Sequence, residues 1–263
     1  MTIGAIILAG VAALALAAPL FAGDPLTMRP VQRLRPPSAE TWFGTDHLGR
    51  DVFARTIYGA RVSLLVGLSV ASFSIVVGLA IGLLAGYFRR VDAVVMRLMD
   101  GLMAIPAILL AIALVALTKA SVFIVIVAIT IPEVPRVVRL VRAVVLGVRE
   151  APFVEAAIAG GTPTWKILTR HIVPSTFPPL IVQATYICAS AILIEASLSF
   201  LGAGTPPEVP TWGNMIAQSR LFLSRAPWTI FCPGIALALV VLAVNLLGDG
   251  LRDRLDPRLA RRM

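Results

Sequence analysis

The sequence predicts an all-α integral membrane protein, a polytopic bundle of about six transmembrane helices. Hydrophobic residues make up 58% of its 263 residues, against about 45–50% in an average soluble protein. Charged residues make up only 14%, against about 25% in soluble domains, and the mean hydropathy is +0.91. A water-soluble domain of this length lacks the interior volume to bury so many apolar side chains.

Long uncharged runs mark the predicted helices, and the strongest of them exceed the ~20 residues that a helix needs to cross the hydrocarbon core. The predicted spans are Met1–Gly23, Val62–Phe88, Gly101–Thr118, a helix from Ala120 that stays apolar to Pro132 and then gains arginines, about Pro179–Leu201, and Ala226–Gly248. We therefore expect residues 1–22 to form the first transmembrane helix, residues 23–61 an extracytoplasmic loop, and residues 62–263 the remaining transmembrane domain.

The alternative for the first run is a cleaved signal peptide. Its start lacks Lys and Arg, and the apolar stretch is longer than that of a usual signal peptide. We therefore expect a retained transmembrane helix.

The distribution of Lys and Arg predicts that both termini are cytoplasmic, because cytoplasmic loops carry an excess of these residues. With the N-terminus inside, 14 of the 23 Lys and Arg residues lie on the cytoplasmic side. The net charge of +9 therefore indicates residues that flank membrane spans, with membrane lipid as their neighbour, and not a nucleic-acid-binding surface.

Glycines at spacings of four residues predict a close helix contact in the second span. Gly78, Gly82 and Gly86 lie on one face of that helix. Small residues at this spacing let a neighbouring helix approach closely, where van der Waals contact replaces the hydrophobic effect.

The sequence offers no material for catalytic, cofactor or metal sites, so we expect no enzyme. Neither lysine, Lys119 or Lys166, lies in a glycine-rich phosphate-binding loop, so the chain has no ATP site of this type. His47 and His171 are far apart, and Cys188 and Cys232 have no ligand-spaced neighbours. A zinc site or a nucleophilic triad is therefore unsupported.

A cytoplasmic loop at about residues 147–178 contains residues that begin and end short helices. Pro152 opens a first short helix, and Gly160-Gly161 ends it. Thr162-Pro163 then reads as an N-cap followed by a first-turn proline. We expect the second helix to end at Pro174, which makes the loop a compact projection.

This loop resembles the EAA loop of ABC-importer permeases, written E-A-A-x-x-x-G followed by I-x-L-P. The matching residues are Glu155, Ala156, Ala157 and Gly161, then Ile172-Val173-Pro174, in which Val173 replaces the usual Leu. Three further blocks are similar to those of the second-permease (C-type) subunit of the dipeptide, oligopeptide and nickel group: Phe43–Asp51, Glu195–Gly202 with Pro210–Met215, and Asn245–Asp253 with Leu255–Arg258.

The resemblance implies a type I ABC-importer permease (MetI-like) fold in a bacterial inner or plasma membrane. It implies a second homologous permease, one or two ATP-binding subunits that hold ATP with Mg, and an extracytoplasmic substrate-binding protein as partners. The implied coupling residues of the loop are Glu155, Ala156, Ala157, Gly161, Trp165, Ile172 and Pro174. The implied cargo is a dipeptide or oligopeptide, with nickel or another small solute as the alternative.

Two points stay open from the sequence. Glu195 is an acid inside a span, which indicates either a functional group or a bond to a neighbouring helix. The alternative from another class of protein is a stand-alone, ion-coupled secondary transporter, which predicts inverted repeats and several intramembrane ionisable residues. The sequence shows no clear repeat, and only Glu195 lies within a span away from its ends.

Overall fold

A computed structural model describes residues 1–255, and the chain is helical over most of that length. The helices are α1 Thr2–Phe21, α2 Val52–Tyr87, α3 Arg89–Ala104, α4 Ala107–Ala116, α5 Val122–Val148, α6 Pro152–Ala159, α7 Thr164–Ile167, α8 Val173–Phe200, α9 Trp212–Ser219 and α10 Trp228–Leu255. No strand occurs among the described residues beyond an isolated bridge between Thr45 and Asp51. The all-α prediction is confirmed; the part of the C-terminal block after Leu255 lies outside the described residues.

Four helices are long and apolar enough to cross a membrane: α1, α2, the run Thr164–Phe200 that includes α7 and α8, and α10. The bent pair α3–α4 makes a fifth if it is counted as one span. The predicted count of six also includes α5, whose 27 residues extend about 40 Å at 1.5 Å per residue. Helix α5 is long enough but not apolar enough, because Glu133, Arg136 and Arg139 interrupt it.

The predicted span Gly101–Thr118 is wrong as one continuous helix. The chain leaves the helical conformation after Ala104, and α3 and α4 meet at an angle of 86°. Pro106 causes the break, because proline disfavours a helical conformation in the residue before it. Ile105 accordingly has an extended backbone, with φ −93° and ψ 127°. The ten residues of α4 alone extend only about 15 Å, half the thickness of the hydrocarbon core.

Helix α2 begins at Val52, ten residues before the predicted span Val62–Phe88. The Asp51 side chain caps it by accepting a hydrogen bond from the Phe53 N–H at 2.8 Å, which satisfies one of the free donors of the first turn. The last ten residues of the predicted loop 23–61 are therefore helical. The 36-residue α2 then supplies the long surface against which α1, α5 and α8 pack.

The glycine face of α2 packs directly against α5, as predicted. A Cβ atom built on any of the three glycines would collide with a valine Cβ on α5, at 2.5, 2.7 and 2.6 Å. The colliding pairs are Gly78–Val137, Gly82–Val141 and Gly86–Val145. The backbones of α2 and α5 therefore lie closer together than any side chain at these three glycine positions would allow.

Ion pairs hold the bent helix to α5. Arg139 contacts Asp100 of α3 at 2.6 Å, and the Nη2 atom of Arg142 donates to Asp92 at 2.7 Å. The Arg149 guanidinium donates to the Gly86 carbonyl at 3.2 Å. The C-terminal half of α5 is thus fixed to the ends of both α2 and α3.

We expect Gly82→Val to destabilise the protein by about 1–3 kcal/mol, the usual cost of overpacking a close contact. The valine side chain has no space against Val141. Thermal unfolding of the purified protein in detergent measures the effect. Gly10→Val on α1 is the control, because no atom lies within 4 Å of a Cβ built there. Equal melting temperatures for the two variants would contradict the proposed contact.

Candidate functional site

Two short helices follow α5 and form the knob, which we define as residues 152–167. Pro152 stands in the first turn of α6. Backbone N–H groups of the first turn have no partner within the helix, so the N–H that proline lacks costs no hydrogen bond there. The helix ends at Ala159 with Gly160 as its C-cap, and Gly161 adopts φ +72°, a left-handed conformation that glycine takes without steric cost. The Thr162 N–H returns to the Ala157 carbonyl at 3.0 Å. The predicted glycine turn between two helices is confirmed.

The knob has a buried side and an exposed side. Val154 and Ile167 of the knob, and Ile172 just after it, are at most 2% exposed and belong to the main apolar core. On the outer side, Trp165 is 67% exposed and Phe153 52%. Of the predicted coupling residues, Glu155, Ala156, Gly161, Trp165 and Pro174 are exposed, Ala157 is half-buried and Ile172 is buried.

The prediction that Pro174 ends the second helix is wrong. A π-helical turn, Leu168–Ile172, joins α7 to α8, and the Val173 N–H donates to the Leu168 carbonyl five residues earlier. A proline inside a regular helix crowds the carbonyl four residues before it, and the wider π turn relieves that crowding. Pro174 therefore falls in the first turn of α8. Likewise the N-cap of α7 is Pro163 and not Thr162.

Glu195 lies on the buried side of α8 and is 0% exposed. Its Oε1 atom accepts hydrogen bonds from the hydroxyls of Ser199 at 2.8 Å and Thr205 at 3.4 Å. The Asn214 amide donates to the Thr205 hydroxyl at 2.9 Å. The carboxyl group thus links the end of α8 to the loop before α9, which favours the structural alternative for this acid. Its Oε2 atom has no hydrogen-bond partner among residues 1–255.

A second polar assembly lies at the N-terminal end of α2, away from the knob. We call it the polar cap and define it as residues 29–51 with residues 205–222. The Oδ2 atom of Asp46 accepts from Arg50 at 2.6 Å and from Arg55 at 2.9 Å. Arg50 also donates to the Gln218 side-chain oxygen at 2.7 Å. All three charged residues are buried, with at most 5% exposed.

Two tryptophans join distant blocks of the sequence around the cap. The Trp212 ring N–H donates to the Thr56 carbonyl at 3.0 Å, and that of Trp228 donates to the Thr45 carbonyl at 3.2 Å. The block Pro210–Met215 is therefore bonded to the start of α2, and the block Phe43–Asp51 to the start of α10. No local sequence pattern predicts the Trp212–Thr56 bond or the bond from Arg50 to Gln218, because each joins residues more than 150 positions apart.

The charges of the cap shift two pKa values. Burial alone raises the pKa of Asp46, but Arg50, Arg55 and backbone N–H groups outweigh it, and the pKa is lowered. Burial and the nearby arginines lower the pKa of His47 despite Asp46. The His47 ring stacks on Phe222, with ring centres 5.4 Å apart. No group of three or more candidate metal ligands occurs among residues 1–255.

We expect Asp46→Asn to destabilise the protein by about 3–5 kcal/mol, because it leaves two buried arginines without their carboxylate. The lowered pKa of Asp46 means that its stabilisation is complete above about pH 4 and is lost as the pH falls further. Thermal unfolding between pH 3 and pH 7 measures both effects.

The control for this prediction is Glu40→Gln, which neutralises an exposed acid of the same segment. It is expected to unfold like the unmodified protein at every pH. A pH profile of Asp46→Asn that still falls as steeply below pH 4 would contradict the assignment to Asp46.

The chain matches the profile of the family described as "Binding-protein-dependent transport system inner membrane component" over residues 74–261. It is 63% identical over 249 residues to the probable peptide ABC transporter permease protein y4tQ of Sinorhizobium fredii, an alignment that covers 95% of this chain and 86% of the relative. It is 45% identical over 259 residues to the dipeptide transport system permease protein DppC of Alkalihalophilus pseudofirmus, covering 98% of this chain and 85% of the relative.

Among solved structures, the chain is similar to a chain of the MetNI methionine ABC transporter in an inward-facing conformation. The TM-score is 0.60 at 20% identity, over 77% of this chain and 96% of that chain. A chain of an amino acid ABC transporter gives a TM-score of 0.58 at 14% identity, over 77% of this chain and 94% of that one. At these identities the likeness concerns the fold alone.

Proposed function

The chain belongs to the family of binding-protein-dependent transport system inner membrane components, and we propose that it moves dipeptides or oligopeptides inward across the inner membrane. The observation that carries the proposal is the 63% identity, over 95% of the chain, to a relative named as a probable peptide ABC transporter permease. Relatives named for dipeptide and D,D-dipeptide transport, at 45% and 40% identity, support the same cargo. Nickel or another small solute is the alternative within the same group.

The energy for this transport comes from partner subunits. The chain is a membrane subunit, and its sequence has no phosphate-binding glycine loop around Lys119 or Lys166. Two ATP-binding domains, with ATP and Mg bound to them, would dock on the cytoplasmic side of this permease and a second, homologous one. An external binding protein would deliver the peptide to the opposite side. Both termini of the chain then lie in the cytoplasm.

The knob is the surface that we assign to the ATPase partner. Trp165 and Phe153 offer large, exposed apolar side chains at its tip, and aromatic residues of this kind dominate the affinity of protein interfaces. Glu155, Ala156 and Ala157 of α6 provide a small, acidic surface beside them. Because Val154 and Ile167 are buried in the core, the knob is packed against the bundle and can transmit a displacement to it.

The connections of the knob suggest how motion reaches the membrane. Helix α7 continues through the π turn into α8, and α6 follows α5 after only Arg149, Glu150 and Ala151. A displacement of the knob therefore acts on α5 and α8 together. We propose that ATP-driven closure of the partner subunits moves these two helices and so alternates access between the two sides.

We expect Trp165→Ala to weaken binding of the ATPase subunits by about 30-fold or more, as for a central interface residue. Because Trp165 is 67% exposed, the stability of this chain itself should change little. Pull-down of the ATPase subunits and peptide-stimulated ATP hydrolysis in the reconstituted complex measure the effect. Trp42→Ala is the matched control, since Trp42 is 64% exposed but lies in the polar cap. Equal ATPase binding by the two variants would refute the docking surface.

We expect transport to depend on ATP and not on an ion gradient. In liposomes that hold the whole assembly, peptide uptake should require ATP on the knob side and should persist when an uncoupler collapses the proton gradient. The secondary-transporter alternative predicts uptake by this chain alone, abolished by the uncoupler and indifferent to ATP. Gradient-driven peptide uptake by the isolated chain would disprove the proposed function.

A further inference from the structure

One face of α8 is exposed or half-buried along the whole helix: Gln183 and Ser190 are half-buried, and the other residues of this face are exposed. Its residues recur every three or four positions, as one side of a helix requires. They are Gln183, Tyr186, Ser190, Leu193, Ser197 and Phe200, and of these Tyr186 is 55% and Phe200 46% exposed. The other side of α8 buries Ile187, Ile192 and Leu198 against the core. We call the exposed side the polar face.

The polar face is poorly suited to lipid. Ser197 satisfies its hydroxyl by donating to the Leu193 carbonyl at 2.8 Å. The side chains of Gln183, Tyr186 and Ser190 form no hydrogen bond with any of residues 1–255. Polar groups without partners are costly in hydrocarbon and inside a membrane protein usually face a water-filled cavity.

One cavity lies at each end of the polar face. At the knob end, a cavity of about 490 Å³ is lined by Pro179, Val182 and Gln183 of α8 with Arg252 and Leu255 of α10. At the polar-cap end, a cavity of about 270 Å³ is lined by Phe200 together with Asn214, Gln218 and Arg220, among other residues. The rise from Gln183 to Phe200 is about 25 Å at 1.5 Å per residue, close to the ~30 Å of the hydrocarbon core.

We propose that the polar face of α8 is one wall of the route that the transported peptide follows between the two cavities. This inference rests on the proposed function and names the surface that the substrate contacts. Amide and hydroxyl groups both donate and accept hydrogen bonds, so Gln183, Tyr186 and Ser190 match the N–H and C=O groups of any peptide main chain. Such a wall tolerates many side-chain sequences.

The same face argues against a divalent metal ion as cargo. Nickel binds imidazole and other nitrogen, oxygen or thiolate ligands tightly, and the polar face carries no carboxylate, imidazole or thiol. The acid and the thiol of α8, Glu195 and Cys188, are both buried on its other side. The geometry thus favours a neutral, extended ligand with hydrogen-bonding groups along its length.

Cysteine labelling in the complete reconstituted importer tests this wall. Cys188 and Cys232 are first replaced by alanine, and single cysteines are then introduced as Tyr186→Cys, Ser190→Cys and Ser197→Cys. Phe73→Cys and Val76→Cys on α2 are the controls, because these apolar side chains are also exposed, 52% and 65%. A charged, membrane-impermeant thiol reagent reacts with thiolate, which forms in water and not in lipid.

We expect the three α8 positions to react at least about tenfold faster than the controls, and a saturating dipeptide with its binding protein to slow that reaction. Labelling as slow as that of the controls would overturn the inference, as would fast labelling that peptide does not alter. Uptake of the dipeptide is measured in the same vesicles. Normal ATP-driven uptake without labelling rejects the wall alone, whereas labelling without peptide uptake rejects the proposed cargo.

A substitution without cysteine supplies an independent measurement. Gln183→Leu is expected to raise the peptide concentration for half-maximal uptake about three- to tenfold, the equivalent of one hydrogen bond. Phe73→Leu on α2 is the control. An unchanged concentration dependence for Gln183→Leu would contradict a contact between this residue and the peptide.

Discussion

The close approach of α2 and α5 is the contact on which the rest of the structure depends. Helices in a membrane gain nothing from the hydrophobic effect on association, so they rely on van der Waals contact between closely spaced backbones. Gly78, Gly82 and Gly86 leave that space on α2, and valines of α5 fill it. The fixed α5 then sets the position of everything that follows it, because only three residues separate it from the knob.

The charges of α5 extend this framework to the bent helix pair. Asp92 and Asp100 of α3 pair with Arg142 and Arg139 of α5. These pairs lie near the same end of the bundle as the Arg149–Gly86 bond. Arg139, one of the charges that exclude α5 from an apolar count of spans, is therefore also one of the groups that attach α3 to it.

Local signals in the sequence predicted the existence of some features, though not all of their bounds, and missed others. Uncharged runs located α1, α2, α8 and α10, and Pro152 and Gly161 defined the knob, because length and backbone conformation act within a few residues. Pro106 was visible within the run Gly101–Thr118, but hydropathy averages over a break of this kind. Continuation through Pro174 depends on the π turn, and the Arg50–Gln218 bond on the tertiary fold. Neither leaves a local pattern.

The two sides of α8 carry different kinds of polar group. Its buried side holds Glu195, whose contacts with Ser199 and Thr205 fix the helix end to the polar cap. Its exposed side presents neutral groups only, and a charge there would attract ions and bind them too firmly for a general peptide route. Since α7 continues into α8 through Leu168–Ile172, the helix that would receive force at the knob is also the proposed wall of the route. The π turn is the irregular backbone segment between the two, and it lies outside the wall.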